Sequence, residues 1–151
     1  MLISDLLSVE RVLPNVRITS KKRLLELISD ALVRNDPSLN PREVFESFCA
    51  REKLGSTGLG HGVAIPHGRV KGTTEPQAAF LRLVKPIGFD AIDGQAVDLL
   101  FALTVPENCT NDHLQLLAQV ADRFGDAEFL AKLRKAGDAN ELMQLLTEVK
   151  S

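Results

Sequence analysis

The stretch from Val97 to Val105 is almost continuously apolar, broken only by Asp98 and Thr104 around Leu99-Leu100-Phe101-Ala102-Leu103. A strand with one wet face alternates apolar and polar residues. A run that is apolar at nearly every position needs cover on both faces, and so reads as a central strand inside a layer of helices. Helical patterns stand on both sides of it in the chain. Ser20 is placed to cap a helix over 21–35, with Leu24, Leu25, Leu27, Ile28, Ala31 and Leu32 at helical spacing and Asp36-Pro37 as its stop. Pro41 opens a second helix that fades near Leu54 and carries Val44, Phe45 and Phe48 as its core stripe. After Pro106 come three amphipathic segments, 112–124, 127–135 and 139–149, with Asp126 and Asp138 as caps of the last two. Gln77 to Val84 alternates in part and ends at Lys85-Pro86, a strand signal. Residues 1–19 read as irregular apart from a short helix at 3–7. Helices, then strands, then helices predict an α/β fold: a single-domain sandwich with a mixed β-sheet flanked by α-helices, spanning residues 1–151.

A chain of 151 residues is long enough to bury a core without disulfides or metal. Its net charge of -2 gives no electrostatic reason to seek nucleic acid, and with neither Trp nor Tyr it lacks stacking platforms for single strands. No apolar run approaches the roughly 20 residues of a membrane helix, and Asp5 and Glu10 interrupt the N-terminus where a signal peptide would be basic and then apolar. Cys49 and Cys109 form no CxxC pair and read as reduced and packed. The expectation is a cytoplasmic protein with no membrane insertion.

The segment from Gly55 to Gly72 changes character, holding six of the ten glycines. Such density marks a backbone of unusual dihedrals or close approaches. Val63 to Ile65 reads as a strand within it, and Pro66-His67-Gly68 follows, which puts His67 at a strand end beside a glycine-rich loop. Strand ends of this kind are where α/β sheets place reactive groups. A histidine near its usual pKa of about 6.5 is a nucleophile at neutral pH without a separate base. The glycines do not form a GxxxxGK[ST] nucleotide loop, and no HExxH-like ligand set accompanies His61, His67 and His113, so neither a nucleotide cofactor nor a metal is expected. Ser56 and Thr57 offer hydroxyls, and the loop offers N–H groups, for an oxyanion. Read singly, Arg51 is a solvated charge helping a helix C-terminus, and His113 is a capping residue.

Read together, these residues say more. The run Arg51-Glu52-Lys53-Leu54-Gly55-Ser56-Thr57-Gly58-Leu59-Gly60-His61-Gly62-Val63-Ala64-Ile65-Pro66-His67-Gly68 closely resembles the active-site signature of the fructose/mannitol-type enzyme IIA domains of the bacterial phosphotransferase system. The resemblance extends over roughly 7–149. It implies that His67 carries a phosphoryl group. It implies that His113, in the Asp112-His113-Leu114 helix opening, approaches His67, and that Arg51 steadies the phosphoryl group. Ser56, Thr57 and Gly68 would form its surroundings. Segments 89–93 and 98–103 look most like the stand-alone, nitrogen-regulatory branch. The implied partners are a nitrogen-type HPr phosphocarrier as donor and regulatory target proteins as readers. The alternative is the enzyme IIA of a fructose or mannitol uptake system, passing phosphate to a IIB domain. Because the group arrives already activated as phosphohistidine, no ATP or Mg²⁺ is required. His61 departs from the branch, where Asn is familiar. It lies either near the phosphoryl group or away from it, and a polar surface role is the expectation.

Overall fold

The computed structural model describes residues 3–34, 36–73, 75–108 and 111–148. Six strands form one sheet: β1 (Val12–Val16), β2 (Gly58–Gly60), β3 (Val63–Ala64), β4 (His67–Val70), β5 (Gln77–Ile87) and β6 (Val97–Pro106). The order β1-β5-β6-β3-β2 puts the apolar run at the centre as β6, and β4 pairs with the same side of β6 as β3. β6 is antiparallel to β5 and parallel to β3 and β4, and β1 is parallel to β5, so the sheet is mixed.

Alternate residues of β6 enter different cores. Leu99, Phe101 and Leu103 pack with helices α3 (Asn111–Arg123), α4 (Ala127–Lys135) and α5 (Ala139–Thr147) through Leu116, Val120, Phe124, Leu133 and Leu142. Leu100 and Ala102 pack on the other face with α1 (Lys21–Val33) and α2 (Pro41–Lys53) through Leu24, Ile28, Leu32, Val44 and Phe48. The period of two along a strand thus serves two helical layers, the physical content of a run apolar at nearly every position. The caps form as their residue types require: Ser20, Asp126 and Asp138 accept backbone N–H groups at the starts of α1, α4 and α5.

The N-terminal reading needs correction. Residues 3–19 are more regular than expected: the 3-10 turn Ile3–Asp5 falls within the short helix expected at 3–7, and a second turn, Val9–Arg11, leads into β1. Pro14 and Asn15 hide this strand from a pattern reading. Proline is tolerated because β1 is an edge strand, and its register with β5 shifts between Leu13 and Val16. The glycine-rich segment is also more regular than its composition suggests, since β2, β3 and β4 all lie in it. Helix α1 ends at Val33, with Asn35 outside the described residues, as are Val149 and Cys109. Cys49 is a free thiol, half-buried on α2 and packed against the core on that face of the sheet. Among the described residues no helix is long and apolar enough to cross a membrane.

Candidate functional site

Strands β3 and β4 run in line along β6 but do not join. Ala64 pairs with Leu100 and His67 with Leu103 in one unshifted register, and the pairing lapses between them where Pro66 has no N–H to give, although its carbonyl still accepts Leu103 N–H at 2.9 Å. His67 is the first residue of β4, just past the end of β3. Ile65 faces away from β6, as strand alternation requires: its N–H donates to the Thr57 carbonyl at 3.0 Å, and its own carbonyl lies 2.9 Å from Nδ1 of the imidazole. That contact requires the proton on Nδ1. Nε2 is then left with its lone pair, and it accepts the Nε–H of Arg51 at 3.2 Å. The two contacts agree on one neutral tautomer.

Arg51 arrives from the last turn of α2. Its Nη1–H donates to the Gly55 carbonyl at 2.8 Å, and no carboxylate pairs with it among the described residues. Helix α2 reaches the ring because it lies against β4 with almost no clearance. A Cβ built on Gly68 would stand 2.3 Å from Ser47 Oγ and 3.2 Å from the Ser47 carbonyl carbon, so only glycine permits this approach.

Among the described residues no further strand lies beyond β4, and a cavity of about 460 Å³ opens there, between α2 and α3. Ala50, Arg51 and Leu54 line it from α2 and the turn after it, His67 and Arg69 from β4, and Leu114 and Leu117 from α3. A smaller cavity of about 300 Å³ continues past Ser56, Thr57, Leu59 and Ile65. Leu54 is 84% exposed and Leu114 53%, so the mouth is apolar and open. His113 is buried in the first turn of α3, one residue before Leu114. The N-terminus of that helix contributes partial positive charge to this side of the cavity.

These surroundings hold the His67 pKa below its usual value. Burial is the main cause and the Arg51 charge adds to it, while the bond to the Ile65 carbonyl and the Glu52 charge oppose it. The ring is consequently neutral at pH 7. A neutral imidazole lining an apolar cavity, beside an arginine that pairs with no carboxylate among the described residues, is equipped to bond an electrophilic anion.

Comparison with known proteins identifies the family of the chain. The model of the family described as "Phosphoenolpyruvate-dependent sugar phosphotransferase system, EIIA 2" matches residues 5–149. The chain belongs to this EIIA 2 family. It is 45% identical over 149 residues to a nitrogen regulatory protein of Pseudomonas aeruginosa, covering 99% of this chain and 97% of the relative. It is 46% identical over 147 residues to a nitrogen regulatory protein of Escherichia coli K12, covering 97% and 90%. The crystal structure of nitrogen regulatory protein IIA-Ntr from Neisseria meningitidis superposes with a TM-score of 0.91 at 44% identity, covering 96% of this chain and 99% of that one. The chain therefore has the α/β fold of the EIIA 2 family and resembles its nitrogen-regulatory members along nearly its whole length.

The remaining signature residues of this EIIA 2 domain divide into two groups. Ser56 and Thr57 do line the smaller cavity with His67, but their protons are given elsewhere. Ser56 Oγ donates to the Phe89 carbonyl at 2.6 Å, and Thr57 Oγ1 donates to Glu52. His61 is not at this site. It occupies the exposed turn between β2 and β3 at φ +57°, and lines a separate cavity with Asp98 and Arg134. Sequence reasoning passed over the Ile65 carbonyl, which no residue-type pattern reveals, and gave Glu52 no role although it stands inside the signature. The apolar mouth was likewise unassigned, because Leu54, in the turn after α2, and Leu114 and Leu117, on α3, meet only in the folded chain.

Proposed function

We propose that this chain is a phosphocarrier that takes a phosphoryl group on Nε2 of His67 from the phosphohistidine of an HPr-type carrier of the nitrogen type, and that its phosphorylation state regulates target proteins in the cytoplasm. The observation that carries the reading is the ring's tautomer: Nδ1–H on the Ile65 carbonyl and the Nε2 lone pair towards Arg51 and the cavity. In the transfer, that lone pair attacks phosphorus in line, the donor's P–N bond breaks, and its electron pair returns to the donor imidazole. Arg51 releases Nε2 and gives its N–H groups to the equatorial oxygens. His113 and the α3 N-terminus add a donor and partial positive charge. The open apolar mouth suits a protein donor better than a small substrate, since a partner's surface can close it and exclude water.

Identity near 45% to nitrogen regulatory proteins supports the regulatory role over sugar uptake. Phosphorylation adds roughly -1.5 to -2 charge at an exposed apolar mouth, enough to change which proteins that surface accepts. The test is incubation with enzyme I, phosphoenolpyruvate and either a nitrogen-type or a sugar-type HPr. One acid-labile phosphoryl group per chain is expected, entering faster from the nitrogen-type carrier. Label that persists in His67→Ala would overturn the assignment, and rapid onward transfer to a fructose- or mannitol-type IIB domain would favour the uptake role.

A further inference from the structure

Two adjacent residues of α2 act on the two nitrogens of one ring. Arg51 donates to Nε2 directly. Glu52 reaches Nδ1 through a chain of bonds. Its carboxylate, 6% exposed, accepts both the backbone N–H of Thr57 at 3.3 Å and the Thr57 hydroxyl. The Thr57 carbonyl accepts the N–H of Ile65 at 3.0 Å, and the Ile65 carbonyl accepts Nδ1–H of His67. On its far side Glu52 is held by Lys21 Nζ at 2.9 Å, from the first turn of α1, and that ammonium lies over the Phe89 ring at 4.3 Å.

The chain has a specific purpose at the strand break. Between Ala64 and His67 the ladder to β6 is interrupted, and Pro66 has no N–H to offer. The Pro66 carbonyl is fixed by Leu103 N–H at 2.9 Å, but Ile65 is steadied from the Thr57 side. A carbonyl that must select a tautomer has to stay within hydrogen-bond distance of the ring nitrogen. We propose that Glu52, anchored by Lys21, is a positioning residue: it holds Thr57 and through it Ile65, so that the proton of His67 stays on Nδ1 and Nε2 remains the nitrogen free to react. This rests on the phosphocarrier reading for its consequence, though not for its structural content.

The test pairs ring ¹⁵N shifts of His67, recorded at about pH 8 where the histidine is neutral, with the rate of phosphoryl uptake. The wild-type protein is expected to show protonated Nδ1 and unprotonated Nε2. Thr57→Val, which keeps the backbone N–H and the side-chain shape, and Glu52→Gln are expected to raise the Nε2–H population and slow uptake by roughly tenfold. Lys21→Met should move the shifts the same way, and Lys21→Arg should restore them. A role confined to folding would lower thermal stability and leave the shifts of the folded protein alone. The proposal is overturned if the wild type carries its proton on Nε2, or if Thr57→Val and Glu52→Gln fold with wild-type shifts and rates. Should Glu52→Gln not fold, Thr57→Val decides. Uptake that survives His67→Ala would instead sink the phosphocarrier reading and leave the tautomer result standing.

Discussion

The glycine-rich signature holds two histidines, each beside an arginine, and the structure treats them oppositely. At His61 the backbone does the bonding. Its N–H goes to Asp93 at 3.0 Å and its carbonyl to Arg134 at 2.7 Å, while Arg134 also bonds both oxygens of Asp98. Gly62 lets that clamp close, since a Cβ there would stand 2.5 Å from the guanidinium. At His67 the side chain does the bonding, and among the described residues no carboxylate pairs with Arg51. An arginine saturated by a carboxylate is a structural strut. An arginine held by a carbonyl and an imidazole keeps its charge for an anion that has yet to arrive. The contrast separates a site from its scaffold within one short stretch of chain.

The largest test of that contrast exchanges the histidines. His67→Ala should abolish phosphoryl uptake, while His61→Ala should leave the rate within about twofold because its ring makes no bond to the site; gel assays of labelled protein distinguish the two. The arginines come next. Arg51→Ala should slow uptake by roughly 100-fold, the scale of losing one donor to a transferring group, with little change in stability. Arg134→Ala should do the reverse, costing about 1 kcal/mol in urea denaturation and leaving uptake nearly intact. Gly68→Ala probes how closely α2 must approach. It should destabilise by about 1–3 kcal/mol through overpacking against Ser47, and slow uptake as Arg51 is displaced.

The smallest effect is the pH response. His67 has its pKa lowered, so the folded protein binds this proton less readily than the unfolded chain. Stability from this group therefore falls as pH drops through about 6.5 and towards the folded pKa, and it is regained as pH rises back through that window. The uptake rate should likewise stay level from pH 8 down to about 6.5 and decline only below it. A rate that halves near or above the ordinary histidine pKa would show that burial and Arg51 do not govern the ring.

Much of the fold was readable because its causes are local. The apolar run of β6, the helical stripes at Leu24–Leu32 and Leu116–Phe124, and the caps at Ser20, Asp126 and Asp138 are each set by residue type and spacing. Strand β1 was not readable, because its Pro14 argues against a strand and only pairing with β5 stabilises it there. Within the site, the spacing of Arg51, Pro66, His67 and Gly68 marked the segment. It could not assign the tautomer, since the Ile65 carbonyl is a backbone group common to every residue.

By itself, then, the sequence determined the sheet's centre, the helical cover on both faces and the side chains available for chemistry, all consequences of periodicity and residue type. Tertiary structure alone decided which histidine's ring meets an arginine that pairs with no carboxylate among the described residues and which histidine's backbone is held by a saturated one. It also decided which nitrogen of His67 keeps its lone pair. Those outcomes depend on a backbone carbonyl set beside the ring and a helix pressed onto a glycine, and they exist only once distant parts of the chain have been brought together.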